Sequence, residues 1–318
     1  MVEMMRTVRF KEYGDPEQVL HLESIPVPDP GPGRIRIRVH AAGLAPADWA
    51  LCRGLFAGSL PRGIGCDVSG VVDSIGDGVT DVALGDRVFG TADWANCSSA
   101  GASDRAVMNR WFIVPDGLDM IAASALPMTV DTAYSHLTWL GLAAEKSILI
   151  HGAGSTIGFA AVQIALLHGM SVIATAGETY AQQIRGFGAT VIPYGDGLVE
   201  RIAQLGQGPI DLVLDTSPVG GALPDLVQIA GGDPKRVLTI SDFAAAAELG
   251  VRSTFGEDFT KRAERLPEIA RLAADGKFLA AIAATYPLEE WKTALTISES
   301  GKAHGKLILL PGEDDVLA

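Results

Sequence analysis

The chain has 318 residues, which is long enough for two domains that each bury a core of their own. With 48% apolar and 20% charged residues, the composition is that of a globular protein rather than a disordered or fibrous one. The formal net charge of −13 argues against nucleic acid or an anionic membrane as the main partner. Gln163 and His168 interrupt the best apolar run, so no membrane span is predicted.

The cysteines and the first residues indicate the compartment. Cys52, Cys66 and Cys97 are odd in number and widely spaced, which is neither a disulfide framework nor a C-x-x-C metal site. The opening segment, MVEMMRTVRFKEYG, carries charges where a signal peptide needs an apolar stretch. Together these features predict a protein of the reducing cytoplasm.

The amino-terminal part, residues 1–119, is predicted to be rich in β-strands. In GRIRIRVHAAG, Arg34, Arg36 and Arg38 alternate with apolar residues, which is the period of two of a half-buried strand. Further on, DVSGVVDSIGDGVTDVALGDRVFG contains two apolar runs punctuated by Gly-Asp and Asp-Gly turns.

From residue 120 onward the pattern changes to alternating strands and helices. The strand-like runs, each short and apolar, are SILIHG, SVIATA, TVIPY, IDLVLDT, RVLTIS and VRSTF. The segments between them are long enough for short helices, so we predict a parallel sheet covered by helices on both faces. After residue 275 the pattern is mixed and ends in GKLILL, a strand expected to pack back on the first domain.

A glycine cluster lies in the first of these units, SILIHGAGSTIGFAAVQIALLHGMSVIATAG, residues 147–177. Gly152, Gly154 and Gly158 form G-x-G-x-x-x-G, one residue longer than the common dinucleotide-binding turn. The strand–turn–helix–strand context is nevertheless that of a dinucleotide site, because a helix N-terminus offers free N–H groups to a pyrophosphate. The alternative is a tight strand-to-helix turn without a ligand.

The segment HGAGSTIGFAAVQIA resembles the HGAAGGVGLAAVQIA-type segment of the medium-chain dehydrogenase/reductase superfamily, in its zinc-independent, quinone-oxidoreductase-like branch. In this alignment Gly154 matches the second alanine, Ser155 and Thr156 match the two central glycines, and Gly158 is the closing glycine. Gly152 then belongs to the end of the strand, which removes the extra residue.

Four further segments, in the right order along the chain, are similar to motifs of the same superfamily. They are AAGLAPADW, GCDVSGVVDSIGDGVTDVALGDRVFG, LPMTVDTAYSHL and GKAHGKLIL. The resemblance implies a Rossmann dinucleotide-binding domain, residues 120–274, inserted into a β-rich GroES-like domain, a partly open barrel formed by residues 1–119 and 275–318. It also implies a homodimer.

The end of the second strand of the glycine unit predicts NADPH as the cofactor. An acid there would bind the ribose hydroxyls of NAD, but Thr175, Ala176 and Gly177 are neutral. Tyr194 matches the tyrosine that NADPH-binding relatives place beside the 2′-phosphate, whereas their basic residue is missing and Glu178 is close by. The residues predicted to bind the cofactor are Gly154, Ser155, Thr156, Ile157, Gly158, Thr175, Gly177, Tyr194 and Ser241.

No metal site is predicted. At the positions where zinc-dependent members of the superfamily have a cysteine and a histidine ligand, this chain has Ala45 and Cys66, and it lacks the cysteines of the structural zinc lobe. A catalytic zinc needs three protein ligands. We therefore interpret Cys66 as a small buried residue.

The resemblance implies hydride transfer to a quinone or an α,β-unsaturated carbonyl, small-molecule acceptors that need little polarisation. The predicted catalytic residues are Asp48, Asp131 and Thr132, of which Thr132 matches the threonine that lines the nicotinamide. Ala45 and Ala50 replace an asparagine and a tyrosine of quinone-reductase relatives. The alternatives are an enoyl-thioester reductase and a catalytically silent NADPH-binding protein.

Several candidate residues have a structural interpretation as well. Asp48 is either a loop-shaping hydrogen-bond acceptor or a site residue, and Asp131 either stabilises a first helical turn or faces the substrate. His136 is interpreted as a packing residue rather than a proton donor. Three aromatic residues either line a pocket for a flat acceptor or pack at an interface, namely Trp49, Phe56 and Trp94.

Overall fold

The computed structural model describes residues 2–206, 208–254 and 265–312, and it divides into two compact units. The first unit comprises Met1–Met128 and Pro267–Ala318, and the second comprises Thr129–Leu266. The domain ranges predicted from the sequence have the same order along the chain. Phe255, the last residue of the predicted strand VRSTF, lies outside the described residues.

The amino-terminal segment is rich in strands because apolar and polar residues alternate along it. Ile35, Ile37 and Val39 are buried while Arg38 between them is exposed, as the period of two predicts. The elements are β1 (Met4–Phe10), α1 (Pro16–Val19), β2 (Leu20–Pro26), β3 (Ile35–Leu44), α2 (Pro46–Cys52), β4 (Arg62–Gly63), β5 (Asp67–Ile75), β6 (Arg87–Ala92), β7 (Arg105–Ile113), α3 (Met120–Ala125) and α4 (Pro127–Leu140).

The remainder of the chain alternates strands with helices before it returns to mixed structure. Its elements are β8 (Ser147–His151), α5 (Thr156–Leu167), β9 (Ser171–Thr175), α6 (Glu178–Phe187), β10 (Thr190–Ile192), α7 (Leu198–Ala203), β11 (Leu212–Asp215), α8 (Leu223–Ile229), β12 (Val237–Thr239), α9 (Phe243–Leu249), β13 (Arg252–Ser253), α10 (Leu266–Ala274), β14 (Ile282–Pro287), α11 (Trp291–Glu299) and β15 (Lys306–Leu310).

The first unit is built on a sheet with the strand order β14-β15-β3-β5-β6-β7. Because β3 also pairs with β7, the strands β3, β5, β6 and β7 close into a ring, which gives the GroES-like barrel. The last strand, β15, pairs antiparallel with β3, so that Leu307 lies opposite Leu44. The prediction that the chain end packs on the first domain is therefore confirmed.

The second unit contains a parallel sheet with the strand order β10-β9-β8-β11-β12-β13. Numbered along this unit, the order is 3-2-1-4-5-6, that of a Rossmann fold. The predicted fold class, a Rossmann domain inserted into a GroES-like domain, is confirmed. Among the described helices, none combines the length and the apolar character that a bilayer crossing requires.

A buried ion pair joins distant segments of the first unit. The Lys306 ammonium at the start of β15 lies 2.7 Å from the Asp67 carboxylate at the start of β5, and the two side chains are only 3% and 2% exposed. The other carboxylate oxygen of Asp67 accepts a hydrogen bond of 3.0 Å from the Met128 N–H at the start of α4. Removal of one charge would leave the other buried without its counter-charge.

We expect Lys306→Met to lower the free energy of unfolding by about 3–5 kcal/mol, because the Asp67 carboxylate loses its counter-charge in a dry environment. The double variant Asp67→Asn/Lys306→Met removes both charges and should recover a large part of that loss. Urea unfolding of the three proteins measures the difference. A single variant as stable as the wild type would show that the pair does not hold the unit together.

Candidate functional site

The glycine turn leads directly from β8 into α5 in the second unit. Ser155 is the N-cap of α5: its hydroxyl accepts a hydrogen bond of 3.0 Å from the Gly158 N–H. The N–H groups of Gly154, Thr156 and Ile157 have no hydrogen-bond partner among the described residues. These three residues are half-buried, so the start of α5 presents free donors and the positive end of its dipole to an accessible surface.

The glycines of this turn differ in what surrounds them. A Cβ at Gly158 would lie 2.5 Å from the Thr216 hydroxyl and 2.6 Å from the Gly152 carbonyl oxygen, so glycine allows the helix to approach the strands closely. A Cβ at Gly154 would meet only a ring carbon of Tyr180, at 3.9 Å. The space in front of the turn is therefore open, while the space behind it is filled.

This arrangement fits the pyrophosphate of a dinucleotide. The closing glycine allows the helix and the strand to pack closely together. The open side carries unsatisfied N–H groups at a helix N-terminus. Binding of a pyrophosphate requires both of these features. The residues predicted from the sequence at this turn, Gly154 to Gly158, are thus brought together in one cradle. Their role as cofactor ligands stays a prediction.

The end of β9 differs from the sequence-based picture in one respect. Thr175 is fully buried, and its hydroxyl accepts a hydrogen bond of 2.9 Å from the Gly152 N–H and lies 3.0 Å from Nδ1 of His151. It therefore braces the glycine turn from behind. The position that faces outward is Gly177, the N-cap of α6, where a Cβ would lie 3.6 Å from the hydroxyl of Tyr194.

Tyr194 is 63% exposed, and its hydroxyl has no partner among the described residues. Gly177 and Tyr194 therefore form the accessible end of the site that the sequence predicted for the ribose. Ser241, by contrast, donates a hydrogen bond of 2.5 Å from its hydroxyl to the Ser217 carbonyl, and so links the segments that follow β12 and β11.

Two titratable residues at the carboxyl ends of the central strands were not predicted. His151 ends β8 and lies opposite Asp215, which ends β11. Asp215 accepts hydrogen bonds from the Ser217 N–H (3.1 Å) and the Thr239 hydroxyl (2.8 Å). Burial raises the pKa of Asp215 to about 6 and lowers the pKa of His151. The sequence signal that could have found them is a titratable residue at the end of an apolar strand, which is His151 in HG and Asp215 in LDT.

In the first unit, Asp48 lies near the start of α2 and is fully buried. Its carboxylate accepts hydrogen bonds from the N–H groups of Ala45 (2.8 Å) and Gly65 (2.7 Å), and the Cys66 thiol lies 3.5 Å away. Burial raises the pKa of Asp48, while the two N–H groups lower it. These contacts support the loop-shaping interpretation of Asp48.

The side chains around Asp48 do not fit a catalytic zinc. Ala45 carries no ligand atom, and burial and the neighbouring carboxylates raise the pKa of the Cys66 thiol, whereas zinc binds the thiolate. Asp67, the remaining acid, is held by Lys306. Within residues 2–206, 208–254 and 265–312, no three His, Cys, Asp or Glu side chains are grouped as ligands.

The residues of α4 have different environments. The helix begins at Pro127, so the buried Asp131 lies beyond its first turn, and the interpretation of Asp131 as a first-turn stabiliser is wrong. Thr132 is half-buried. His136 is buried, its Nδ1–H donates to the Thr132 carbonyl (2.6 Å), and its Nε2 lies 3.0 Å from the Thr254 hydroxyl. Burial lowers its pKa, which supports the packing interpretation.

The three aromatic residues that the sequence offered as pocket walls separate into two groups. Trp49 is buried and donates from its indole N–H to the Ser298 hydroxyl of α11 at 2.7 Å. The rings of Phe56 and Trp94 are neighbours, with centroids 6.4 Å apart and an angle of 45° between the ring planes. A groove of about 550 Å³ beside α2 and α11 is lined by Pro46, Trp49, Ala50, Arg53, Gly54, Leu55, Ser298 and Glu299.

Comparison with known proteins gives concordant matches. A family model described as the alcohol dehydrogenase GroES-like domain matches residues 31–125, and one described as zinc-binding dehydrogenase matches residues 187–309. A quinone oxidoreductase of Rattus norvegicus is 30% identical over 331 residues, which cover 96% of this chain and 98% of that protein.

Solved structures show the same relationship. The quinone oxidoreductase from Coxiella burnetii has a TM-score of 0.79 and 26% identity, with 98% of this chain and 100% of that chain covered. A crystal structure described as an NAD-dependent alcohol dehydrogenase has a TM-score of 0.81 and 26% identity, with 96% of this chain and 100% of that chain covered.

The fold, the glycine cradle and these matches define an oxidoreductase of the alcohol-dehydrogenase type. The chain belongs to the medium-chain dehydrogenase/reductase superfamily, and within it to the quinone-oxidoreductase-like branch. The family resemblance predicted from the sequence is confirmed. The homodimer that it implied stays a prediction.

The raised pKa of Asp215 has a consequence for stability. The neutral carboxyl is favoured in the folded protein, so the free energy of unfolding should fall by about 2–3 kcal/mol as the pH rises from the unfolded pKa near 3.8 through about 6. Asp215→Asn, which resembles the neutral form, should lack this contribution.

Urea unfolding of the wild type and Asp215→Asn between about pH 4.5 and about pH 7.5 isolates the effect, because the other titrating groups cancel in the difference. The variant should gain stability relative to the wild type as the pH rises. A difference that is constant over this range would mean that Asp215 titrates normally.

Proposed function

We propose that this chain is a zinc-independent, NADPH-dependent oxidoreductase that transfers a hydride to a quinone or an α,β-unsaturated carbonyl. The observation that carries the proposal is the cradle at Gly154 to Gly158, with three free N–H groups on its open side and a closely packed helix behind it. A bound nicotinamide cofactor supplies the hydride. The relatives called quinone oxidoreductases support the choice of acceptor.

The surroundings of Asp48 support activity without a metal. Since Ala45 has no ligand atom and Lys306 holds Asp67, these residues offer no site for a Lewis acid. An acceptor that is already conjugated to a carbonyl needs less polarisation than an alcohol or an isolated carbonyl does. The structural role of Asp48 is then to hold the loop before α2 through Ala45 and Gly65.

NADPH rather than NADH is supported by the residues after β9. Gly177 places no carboxylate where the ribose hydroxyls of NADH would need an acceptor, and the free Tyr194 hydroxyl faces the same space. Among the similar structures, one is described as NAD-dependent.

A second candidate function is NADPH binding without turnover. It is favoured by Ala45 and Ala50, which replace the two polar residues that quinone-reductase relatives carry in this loop.

The two candidate functions are separated by measuring NADPH consumption with a panel of quinones and enones, together with NADPH binding and zinc analysis of the same sample. We expect turnover with at least one quinone and no effect of a chelator. Binding without turnover on any acceptor would favour the silent protein, and stoichiometric zinc with chelator-sensitive activity would overturn the zinc-independent assignment.

The cofactor preference should respond to a charge at Gly177. We expect the wild type to bind NADPH about tenfold more tightly than NADH, the effect of one hydrogen bond to the 2′-phosphate. Gly177→Asp should remove or reverse this preference, because the new carboxylate repels the phosphate and accepts from the ribose hydroxyls of NADH.

Gly186→Asp is the matched control, because it adds the same charge on the exposed side of the same helix, where a Cβ meets no atom within 4 Å. Fluorescence titrations of both cofactors on the three proteins give the ratios of the dissociation constants. Equal affinities in the wild type, or the same ratio in both variants, would place the ribose elsewhere.

A further inference from the structure

Arg62 is a buried cation at an unusual place in the first unit. It starts the two-residue strand β4, which pairs antiparallel with the end of β1, and only 2% of the residue is exposed. One terminal nitrogen donates a hydrogen bond of 2.8 Å to the Phe56 carbonyl, and the guanidinium lies 5.1 Å from the ring centroid of Trp94. Its Nε is buried and has no hydrogen-bond partner among the described residues.

Arg62 has no acidic partner in the part of the chain that the structure describes, in contrast to other arginines of the same unit. Arg9 is paired with Glu23 at 2.8 Å, and Arg36 and Arg105 share Asp73 at 2.8 and 2.6 Å. Around Arg62, no carboxylate of the described residues lies within the 4.0 Å of an ion pair. A guanidinium keeps its charge at all ordinary pH values, and an unpaired buried charge is costly. The position therefore calls for an anion.

The loop of residues 56–59 is exposed and lies next to Arg62, since a Cβ at Gly58 would lie 3.8 Å from a terminal nitrogen of the guanidinium. Phe56 has a left-handed backbone conformation (φ +51°) and is 59% exposed, with its ring next to Trp94. The hydroxyl of Tyr13 fastens the loop at Gly58, where it donates to the carbonyl at 2.8 Å and accepts from the N–H at 2.7 Å. Tyr13 thus fastens the loop at Gly58 and Arg62 fastens it at the Phe56 carbonyl. The Trp94 ring lies against the guanidinium, and the exposed Phe56 ring lies beside Trp94.

We propose that Arg62, Trp94 and Phe56 form a subsite for the carboxylate of a planar conjugated acceptor. This inference rests on the proposed function and narrows its substrate class to carboxylated quinones and enones. The carboxylate accepts from Nε of Arg62, and the ring of the ligand packs against Phe56. The loop that contributes Phe56 directly follows α2, the helix that contains Asp48 and Ala50.

Binding without turnover tests the subsite directly, with benzoate as the anionic probe and benzamide as its neutral analogue. In calorimetric titrations of the protein without cofactor, benzoate should bind about tenfold or more tightly than benzamide. Arg62→Met should weaken benzoate about tenfold or more, and Arg62→Lys should weaken it less. Arg38→Met is the matched control, because Arg38 is an exposed arginine of β3 in the same unit.

Phe56→Ala keeps the test valid if Arg62→Met does not fold, since Phe56 is exposed and its truncation leaves the core intact. It should weaken benzoate while the unfolding midpoint stays unchanged. Equal binding of benzoate and benzamide to the wild type, or the same benzoate affinity in Arg38→Met and in the folded subsite variants, would overturn the subsite.

Turnover then separates the subsite from the proposed function. A naphthoquinone with a propanoate side chain and its methyl ester form a matched pair of acceptors. The ratio of kcat/KM for the acid to that for the ester should fall about tenfold in Arg62→Met and stay constant in Arg38→Met. No turnover with either acceptor, together with Arg62-dependent benzoate binding, would refute the proposed function and leave the anion subsite standing. An unchanged ratio with turnover would refute the subsite alone.

Discussion

The buried ion pair between Asp67 and Lys306 joins segments of the first unit that are far apart in the chain. It connects β5 and β15, which are 239 residues apart, and the second oxygen of Asp67 adds the start of α4. Both charges have given up their hydration, so each depends on the other and neither can be replaced alone. Burial raises the pKa of the nearby Asp48, and the N–H groups of Ala45 and Gly65 lower it, with smaller effects from the Lys306 ammonium, which lowers it, and from Asp67, which raises it.

In the second unit the comparable constraint is steric. α5 can approach β8 closely only because Gly158 has no side chain. The free N–H groups of Gly154, Thr156 and Ile157 lie together at the start of this helix. Thr175 supports the turn from the far side, through the Gly152 N–H. A binding surface made of backbone donors tolerates Ser155 and Thr156 in place of the two glycines of the family motif, because the N–H groups matter there and Ser155 also caps the helix.

The sequence was sufficient for the fold and for the glycine turn, because both leave a periodic or local signal. The alternation of Arg34, Arg36 and Arg38 with apolar residues and the strand–turn–helix unit follow from neighbours along the chain. It could not show which residue after β9 is accessible, because nothing in the local pattern distinguishes Thr175, which is buried, from Gly177, which is half-buried. Asp131 was misjudged because the start of α4 depends on the preceding turn after α3.

Arg62 and Asp215 were out of reach for a related reason. Each looks like an ordinary surface residue in the sequence, and burial alone makes it unusual. Asp215 becomes buried through Thr239 of a neighbouring strand, and Arg62 through the pairing of β4 with β1 and the loop that Tyr13 fastens. Contacts of this kind join residues 24 to 52 positions apart, and no local pattern records them.

On the proposed function, the first unit would select its acceptor by shape and charge rather than by polarising it. In the proposed reaction, Ala45 and Ala50 stand in place of two polar side chains, so the loop around α2 offers little polarisation, and this is why the proposed acceptors are already conjugated. Ala50 also leaves open the groove beside Trp49 and Leu55. What the unit does supply is charge and aromatic surface, in Arg62, Trp94 and Phe56. A site that polarises weakly can still be specific, because a buried cation discriminates between an acid and its neutral analogue more strongly than apolar contacts can.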